Sequence, residues 1–450
     1  MKDLTQGSIT RNILEMAWPI AAGMIFQTLY LLVDLYFVAA LGDAAIAGVG
    51  AAGTIMFVVM AMTQVLGVGA VALISQAVGR KDKADANLVF NQSIVLSALC
   101  ALVTLAAGYT IASGYVGAIT ADAAARDEGT TFLYYFLPGL ALQFALVTMG
   151  SALRGTGIVK PAMLVQMLTV LLNTLLAPIL IAGWLTGKSF GVAGAGLAST
   201  ISVGAGVAML GLYFVKLEKY VAFDHALWKP RLADWRRILD VGLPAGGEFG
   251  LMFIYMGVVY FVISGFGAAA QAGFSIGGRV MQSIFLPAMA IAFAAGPVAG
   301  QNFGAGRHDR VRETLTKTLL LSSIVMVFVT LFFQWRPTVL IAAFTSEIEA
   351  QEVGADFLRI ISWNFVAQGI IFTCSGIFQG LGNTRPALLS SAARIVLFVP
   401  LVLLLMREPG FTLEQVWYLS VVTVLIQAVI SYLLLQQQFR RRLGLAPSSA

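Results

Sequence analysis

Two carboxylates, Asp34 and Glu248, lie inside long apolar runs of the sequence. Gln27 and Tyr30 precede Asp34 by seven and four residues, which places these three side chains on one helix face. An ionised group at the centre of a membrane helix costs roughly 2.5–3.5 kcal/mol on insertion scales, so such an acid indicates a function. Asp34 is therefore predicted to exchange a proton for an organic cation or Na⁺. The alternative is a carboxyl held permanently by hydrogen bonds between helices.

A polar stripe in the apolar run at 161–186 supports this site. Gln166, Thr169 and Asn173 follow one another at intervals of three and four residues and therefore share one helix face. We expect Asn173 either to be a neutral partner of Asp34 or to serve only as a hydrogen-bond donor between helices.

Glu248 is open to two interpretations. It follows Pro244 by four residues and shares a helix face with Met252 and Tyr255. Its carboxyl either snorkels to the membrane interface from a position near the end of its run, or lines a cavity together with those two side chains.

Neutral polar side chains also follow one face of the eighth apolar run and one face of the tenth, where amides and hydroxyls would suit varied ligands. Those predicted to line a cavity are Gln271, Ser275, Gln282, Asn364 and Gln368. Arg279 and Arg394 lie in the same half of the chain. They are expected to pair with carbonyls or with an acid such as Glu248, because a cation in a cavity repels a cationic ligand.

The composition indicates which elements must position these groups. Of the 450 residues, 59% are hydrophobic and only 11% are charged, whereas a soluble domain carries about 25% charged residues. A helix needs about 20 apolar residues to cross the hydrocarbon of a bilayer. Twelve such runs lie at 16–41, 47–74, 93–119, 131–153, 161–186, 190–215, 240–264, 269–299, 317–344, 353–380, 386–406 and 411–436. The sequence therefore predicts an all-α polytopic membrane protein with twelve transmembrane helices and excludes a soluble enzyme.

The basic residues indicate how the chain is inserted. Most of the 28 Lys and Arg fall in the loops on the side of the N-terminus. By the positive-inside rule, we expect a multi-pass protein of the cytoplasmic (inner) membrane with both termini cytoplasmic. The formal charge of +6 is scattered between apolar runs and forms no patch, so no nucleic-acid partner is expected.

The two halves of the chain align without a gap when the sequence is shifted by half its length. The matched pairs include Pro19 and Pro244, Tyr30 and Tyr255, Gly42 and Gly267, Gly48 and Gly273, and Gly157 and Gly382. This repeat predicts an N-terminal six-helix lobe at 1–220 and a C-terminal six-helix lobe at 221–450, with a cytoplasmic linker at 216–240. The two prolines are expected to have structural roles.

Because six is even, the lobes share one orientation and are related by a pseudo-twofold axis along the membrane normal. A cavity between the lobes that opens to alternate sides of the membrane is the mechanical expectation. A duplicated receptor or channel subunit is the alternative.

Several segments resemble one family. They are WPIAAGMIFQTLYLLVDLYFVAALG, ALISQAVGR, LRGTGIVKP with its second-half copy FQGLGNTRP, and GVAGAGLAST. In this order, and with the repeat, they resemble the multidrug and toxic compound extrusion (MATE) family. The resemblance implies a twelve-helix antiporter that exports cationic or amphiphilic compounds in exchange for protons or sodium ions. It also implies a coupling role for Asp34, which stands at the aspartate of the first-helix motif.

The chain departs from the family pattern at three positions. Ala177 stands where members of the proton-linked branch often have a second aspartate. In the sodium-linked branch a glutamate usually occupies the position of Met252, and an aspartate occupies that of Gln368. Both of these last departures weaken an interpretation based on sodium coupling.

The function expected from the sequence is proton-coupled export of small organic cations or amphiphiles by a monomer in the lipid bilayer. The alternatives are a Na⁺-coupled drug antiporter and a flippase for lipid-linked saccharides, whose cavity should be more basic than one with Arg279 and Arg394 alone. An integral membrane enzyme would need paired carboxylates or a nucleophile with a base at membrane depth, which the sequence does not provide. No cofactor, no metal and no catalytic residue is expected, and the coupling ion is H⁺ or Na⁺.

Overall fold

The structure is a computed structural model that describes residues 1–185, 187–342 and 347–444. Within these ranges, the side chains of residues 31, 32, 34, 35, 54 and 340 are outside the description. Apart from two short 3-10 turns, every regular element among the described residues is an α-helix. Ten of the helices in the described residues are each long and apolar enough to cross a membrane, and an eleventh span, Ile348–Gly380, consists of two shorter helices joined by a 3-10 turn. A further helix, α1, contains the first predicted span except for its last two residues. The predicted all-α, polytopic fold class is confirmed.

The helices follow the predicted runs in order. Those of the first half are α1 (Ile9–Ala39), α2 (Asp43–Gly79), α3 (Lys83–Ile119), α4 (Ala123–Gly155), α5 (Lys160–Ile181) and α6 (Gly191–Lys216). Those of the second half are α7 (Leu232–Ser264), α8 (Ala268–Gly304), α9 (His308–Trp335), α10 (Thr338–Ile341), α11 (Ile348–Ile361), α12 (Phe365–Gly380), α13 (Arg385–Leu405) and α14 (Leu413–Leu443). Several extend beyond the runs because their ends carry polar, capped turns. At the start of α3, for example, the Asp82 carboxylate accepts the N–H of Asp85 at 2.9 Å.

The tenth predicted span is not one regular helix. The turn at Ser362–Asn364 is a 3-10 turn and separates α11 from α12. Side chains of α9 satisfy the polar groups around this break: Thr330 donates to the Ser362 carbonyl at 2.9 Å, and Gln334 donates to the Ser362 hydroxyl at 2.8 Å. Asn364, one of the polar residues predicted on the face of this span, lies in the turn directly before α12.

Packing divides the chain into two units, and neither is a continuous half. One unit consists of Met1–Asp3 and Ala22–Gly242, and the other consists of Leu4–Ala21 and Leu243–Ala450. Each unit thus contains part of α1 and part of α7. The lobe boundary at residue 220 stays a prediction about the repeat, since the packing units follow other boundaries.

The two units use the same internal packing. In the first, α4 packs against α2, α3 and α6, and α5 packs against α6. In the second, α12 packs against α8, α9 and α14, and α13 packs against α14.

The repeat extends to single glycines. A Cβ added at Gly48 would lie 2.5 Å from the Ala125 carbonyl oxygen. One added at Gly273 would lie 2.9 Å from the Ala350 carbonyl oxygen, and both residues of this pair are the repeat counterparts of the first two. Both sites require close helix contact.

The turns repeat as well. Gly42 and Gly267 precede α2 and α8 with φ angles of 106° and 95°, a region that L residues with a side chain rarely adopt. Glycine is therefore required at both positions by the backbone that starts these two helices.

The segment between α6 and α7, residues 217–231, is bound to the first unit by three amides of α3. These amides are Asn87, Asn91 and Gln92, and the last two are completely buried. They bind backbone groups of Tyr220, Ala222, Asp224, Leu227, Lys229 and Arg231 at distances of 2.6–3.0 Å. The Asn91 side-chain oxygen also accepts the indole N–H of Trp228 at 2.9 Å. This amide clamp, Asn87, Asn91 and Gln92, makes the segment a folded part of the first unit.

The segment before α1 is bound to the second unit in a similar way. The Gln301 side chain accepts the N–H of Leu4 at 2.9 Å, and Asn302 donates to the Leu4 carbonyl at 3.2 Å. Arg307 and Arg310 donate to two further carbonyls of the segment at 2.8 and 2.9 Å. The side chain of Leu4 is fully buried as a result.

Replacing Asn91 by Ala should lower the stability of the protein. The change removes the acceptor of the Trp228 indole and of the Asp224 N–H, and an unsatisfied buried group costs about 1–3 kcal/mol. We expect a lower midpoint of thermal denaturation in detergent. Ser93→Ala is the matched control, because the Ser93 hydroxyl is buried on the same helix without a partner among the described residues. Equal midpoints for the two variants would contradict the role of the clamp.

Candidate functional site

The N-terminal candidate site is only partly described. Helix α1 carries Asp34, whose side chain lies outside the described residues. On the same helix Gln27 is exposed and Tyr30 is half-buried. Asn173 of α5, the predicted neutral partner, is completely buried in the first unit. The coupling role of Asp34 stays a prediction.

The predicted stripe on α5 is present as one helix face. Thr169 is buried and Gln166 is half-buried, one turn apart. The Thr169 hydroxyl donates to the Gln166 carbonyl at 2.7 Å, so it is satisfied within its own helix. A Cβ added at Gly206 of α6 would lie 2.6 Å from the Thr169 methyl group, which shows how closely α6 covers this part of the stripe.

Glu248 lies between three helices of the second unit. The Ser375 hydroxyl of α12 donates to its carboxylate at 3.0 Å, and Ser391 of α13 makes a second side-chain hydrogen bond to the same group. Ser391 in turn accepts from the Gln427 amide of α14 at 3.1 Å. These contacts favour a position between helices over a side chain that snorkels away from them, because hydrogen bonds to a charged group contribute about 1.5–3 kcal/mol each.

Arg394 lies over an aromatic ring. Its guanidinium carbon is 3.9 Å from the centre of the Tyr255 ring, and the Tyr255 hydroxyl is 2.8 Å from that of Ser420. Phe398 packs edge-on against the same ring at 4.9 Å between centroids. A cation over a ring is stabilised by about 2 kcal/mol when it is desolvated. This face of Tyr255 is therefore not open to a ligand cation.

The predicted ion pair between Arg394 and Glu248 is not found among the described residues. The carboxylate takes two serine hydroxyls instead, and the guanidinium takes the ring. The Nε of Arg394 is buried without a hydrogen-bond partner in the described part of the chain. The positions of a basic residue and an acid in the sequence are thus not sufficient to predict that their side chains will pair.

The remaining candidates differ in exposure. Those that are exposed are Met252, Arg279 and Gln282, those that are half-buried are Gln271, Ser275 and Gln368, and Asn364 is buried. The Ser275 hydroxyl lies 2.7 Å from the Tyr260 hydroxyl. Pro19 and Pro244 lie inside α1 and α7. In the described ranges, no group of three His, Cys, Asp or Glu side chains could hold a metal ion.

The sequence reasoning missed a polar stripe on α14. Its members follow at intervals of three, four and four residues and are all buried: Ser420, Thr423, Gln427 and Ser431. Two of them bind the groups around Tyr255 and Glu248. The sequence does contain this pattern, because the spacing of the four residues is that of one helix face within an apolar run.

A family model described as MatE matches the chain twice, at residues 19–179 and at residues 244–404. The second match begins half a chain length after the first, which is the shift at which the halves of the sequence align. The chain belongs to the MatE family. Members of this family are membrane transporters and not enzymes, so the predicted resemblance is confirmed.

Relatives and solved structures agree with this assignment. The chain is 27% identical over 385 residues to the probable multidrug resistance protein YpnP of Bacillus subtilis, a match that covers 84% of each chain. It is 24% identical over 442 residues to the multidrug export protein MepA of Staphylococcus aureus, covering 95% of this chain and 94% of that protein. A solved outward-facing multidrug resistance MATE transporter of the MOP superfamily has the same fold, with a TM-score of 0.92, 23% identity and 99% of each chain covered.

The contact between Arg394 and Tyr255 can be tested by two substitutions. Tyr255→Phe removes only the hydroxyl bond to Ser420 and should cost about 0.5–1.5 kcal/mol of the free energy of unfolding. Tyr255→Leu also removes the ring under the guanidinium and should cost about 2 kcal/mol more. Thermal denaturation in detergent measures both. Tyr418→Phe, at an exposed tyrosine of α14, is the control and should have little effect. Equal losses for the two Tyr255 variants would show that the guanidinium contact contributes nothing.

Proposed function

We propose that the protein is a secondary antiporter that exports cationic and amphiphilic organic compounds in exchange for protons by alternating access. One observation carries the proposal: Asp34 is an acid in an otherwise apolar stretch of α1, inside the first family match, which begins at residue 19. Relatives named as multidrug resistance and multidrug export proteins support organic compounds as the cargo.

The coupling follows from competition for one carboxylate. A cationic compound from the cytoplasm binds while Asp34 is ionised. A proton that arrives from the outside then neutralises Asp34, weakens the hold on the cation and favours its release outward. Linkage requires the reverse as well, so bound compound must weaken proton binding. One charge that moves through 100 mV supplies about 2.3 kcal/mol, to which the pH gradient adds.

We assign the supporting roles by position. Tyr30, Gln27 and Asn173 are proposed to hold Asp34 or its cation, because they lie on the same face of α1 or on the buried face of α5. The other polar candidates described above are proposed to line the path of the compound. Glu248 is included because its carboxylate is held by hydroxyls that can also bind its protonated form.

The setting of the protein is also part of the proposal. The distribution of Lys and Arg supports a cytoplasmic membrane location with both termini cytoplasmic. We propose that a single chain in the lipid bilayer is sufficient for transport, because the repeat supplies both lobes within one polypeptide.

Asp34→Asn should abolish coupling. The variant keeps the size and hydrogen-bonding capacity of the side chain but cannot carry the charge, so a pH gradient should no longer drive efflux of a fluorescent cation from proteoliposomes. Asp43→Asn is the matched control, because Asp43 is exposed at the start of α2, outside the apolar run. Efflux by Asp34→Asn at the rate of the unsubstituted protein would overturn this mechanism.

The coupling ion can be identified with separate gradients. A proton gradient without Na⁺ should drive efflux, and a Na⁺ gradient at equal pH on both sides should not, because Met252 and Gln368 replace the acids of the sodium-linked branch. The same dye and the same proteoliposomes serve both measurements. Efflux driven by sodium alone would reject proton coupling and leave the proposal of export unaffected.

A further inference from the structure

We propose that the segment 216–236, which joins α6 to α7, is a preformed binding site for the phosphate head groups of anionic phospholipids. The segment begins at the last residue of one membrane-spanning helix and ends in the first turns of the next. It therefore lies at a face of the membrane. That this face is cytoplasmic rests on the orientation proposed above.

The backbone of the segment has a fixed course. The amide clamp binds it at six residues, and Lys83 of α3 donates to the Lys219 carbonyl at 3.0 Å. At its far end, a Cβ added at Gly69 of α2 would lie 2.4 Å from the Ile238 carbonyl oxygen, so α7 is packed closely on α2 there. A segment whose backbone is held in this way loses little backbone entropy when it binds a ligand.

Four cations of the segment have no carboxylate partner. They are Lys216, Lys219, Lys229 and Arg231, which are exposed and make no ion pair in the described chain. Arg237 differs, because Asp85 binds it at 3.1 Å and Asp234 binds it at 3.3 Å. These four cations therefore lie in one short segment beside the bilayer. Clusters of this size next to a membrane helix attract anionic lipids.

The repeat indicates that the fold does not need these cations. When the two halves are aligned, Lys229 and Arg231 correspond to Leu4 and Gln6. Leu4 is a fully buried apolar residue in the equivalent segment of the other half.

An ion pair at i and i+4, by contrast, occurs in both copies. Arg11 pairs with Glu15 at 2.6 Å, and Arg236 pairs with Asp240 at 3.9 Å. This surface ion pair is thus repeated, whereas the cations at 229 and 231 are particular to the segment 216–236.

Apolar side chains flank the cations. Trp228 has 38% of its surface exposed while its indole N–H is held by Asn91, and Leu217 and Leu232 are exposed to 65% and 76%. Tryptophan is enriched at membrane interfaces because its ring is apolar and its N–H is polar. Exposed leucines close to membrane-spanning helices can enter the outer part of the hydrocarbon. Charge complementarity with a phosphate and apolar contact with the acyl region together favour a phospholipid over a free anion.

Retention of phosphatidylglycerol tests the proposal. The unsubstituted protein is reconstituted in nanodiscs of phosphatidylcholine and phosphatidylglycerol in equal parts, released into detergent, and analysed by native mass spectrometry for bound lipid. We expect phosphatidylglycerol to be retained over phosphatidylcholine, and the double variant Lys229→Gln/Arg231→Gln to lose about tenfold of that preference. The matched control is Arg440→Gln/Arg441→Gln, which removes two exposed cations at the end of α14 and should retain the preference.

The remaining outcomes are also decisive. Asn91→Ala keeps every charge but releases the segment, so it should weaken retention, whereas Ser93→Ala should not. If the two double variants lose the preference equally, the lipid responds to the overall charge of the membrane face and the site does not exist. If the site binds inorganic phosphate but phosphatidylglycerol is not retained over phosphatidylcholine, the site binds a free anion and not a phospholipid. The measurement of bound lipid does not involve transport, so its result would stand even if the proposed antiport were disproved.

Discussion

The structure depends on one constraint: a polar group in hydrocarbon must find its partner within the protein, because no water is present to replace it. The backbone meets this constraint by being helical wherever it crosses. The break between α11 and α12 meets it with side chains, since Thr330 and Gln334 bind the groups that the helix leaves free. Glu248 meets it with the hydroxyls of two neighbouring helices. Buried polar groups that bind across helices, such as Glu248 and Thr330, therefore require particular helices to be adjacent.

The two halves of the repeat share their helices and packing contacts, but their acids do not lie at corresponding positions. The residue that corresponds to Asp34 in the second half is Val259, and the residue that corresponds to Glu248 in the first half is Gly23. Glycines that set helix contact and turn geometry are duplicated, as at Gly48 and Gly273. The shared positions are those needed for packing. Each half therefore carries its acid at a position where the two halves differ, Asp34 in the first and Glu248 in the second.

Much of this organisation can be predicted from the sequence, because apolar runs and repeated glycines are recognised directly in it. The twelve apolar runs and the alignment of the two halves were found in this way. No proline or glycine marks the break at Ser362 in the sequence, and the side chains that bind its polar groups lie on α9. The partner of Arg394 was predicted to be a carbonyl or an acid, whereas in the structure its guanidinium lies over the ring of Tyr255. The site at Asp34 rests on sequence alone, and the contacts of the second unit were visible only once α12, α13 and α14 were assembled.

The position of the N-terminal segment constrains how the chain is made. Leu4 is bound by Gln301, almost 300 residues further along, and the hydrogen bond spans 297 positions. Residue 301 must therefore leave the ribosome before the segment around Leu4 can reach its folded position. Until then the N–H of Leu4 lacks the side-chain acceptor that holds it in the folded protein. A ribosome that stalls before residue 301 leaves a chain in which this segment cannot dock.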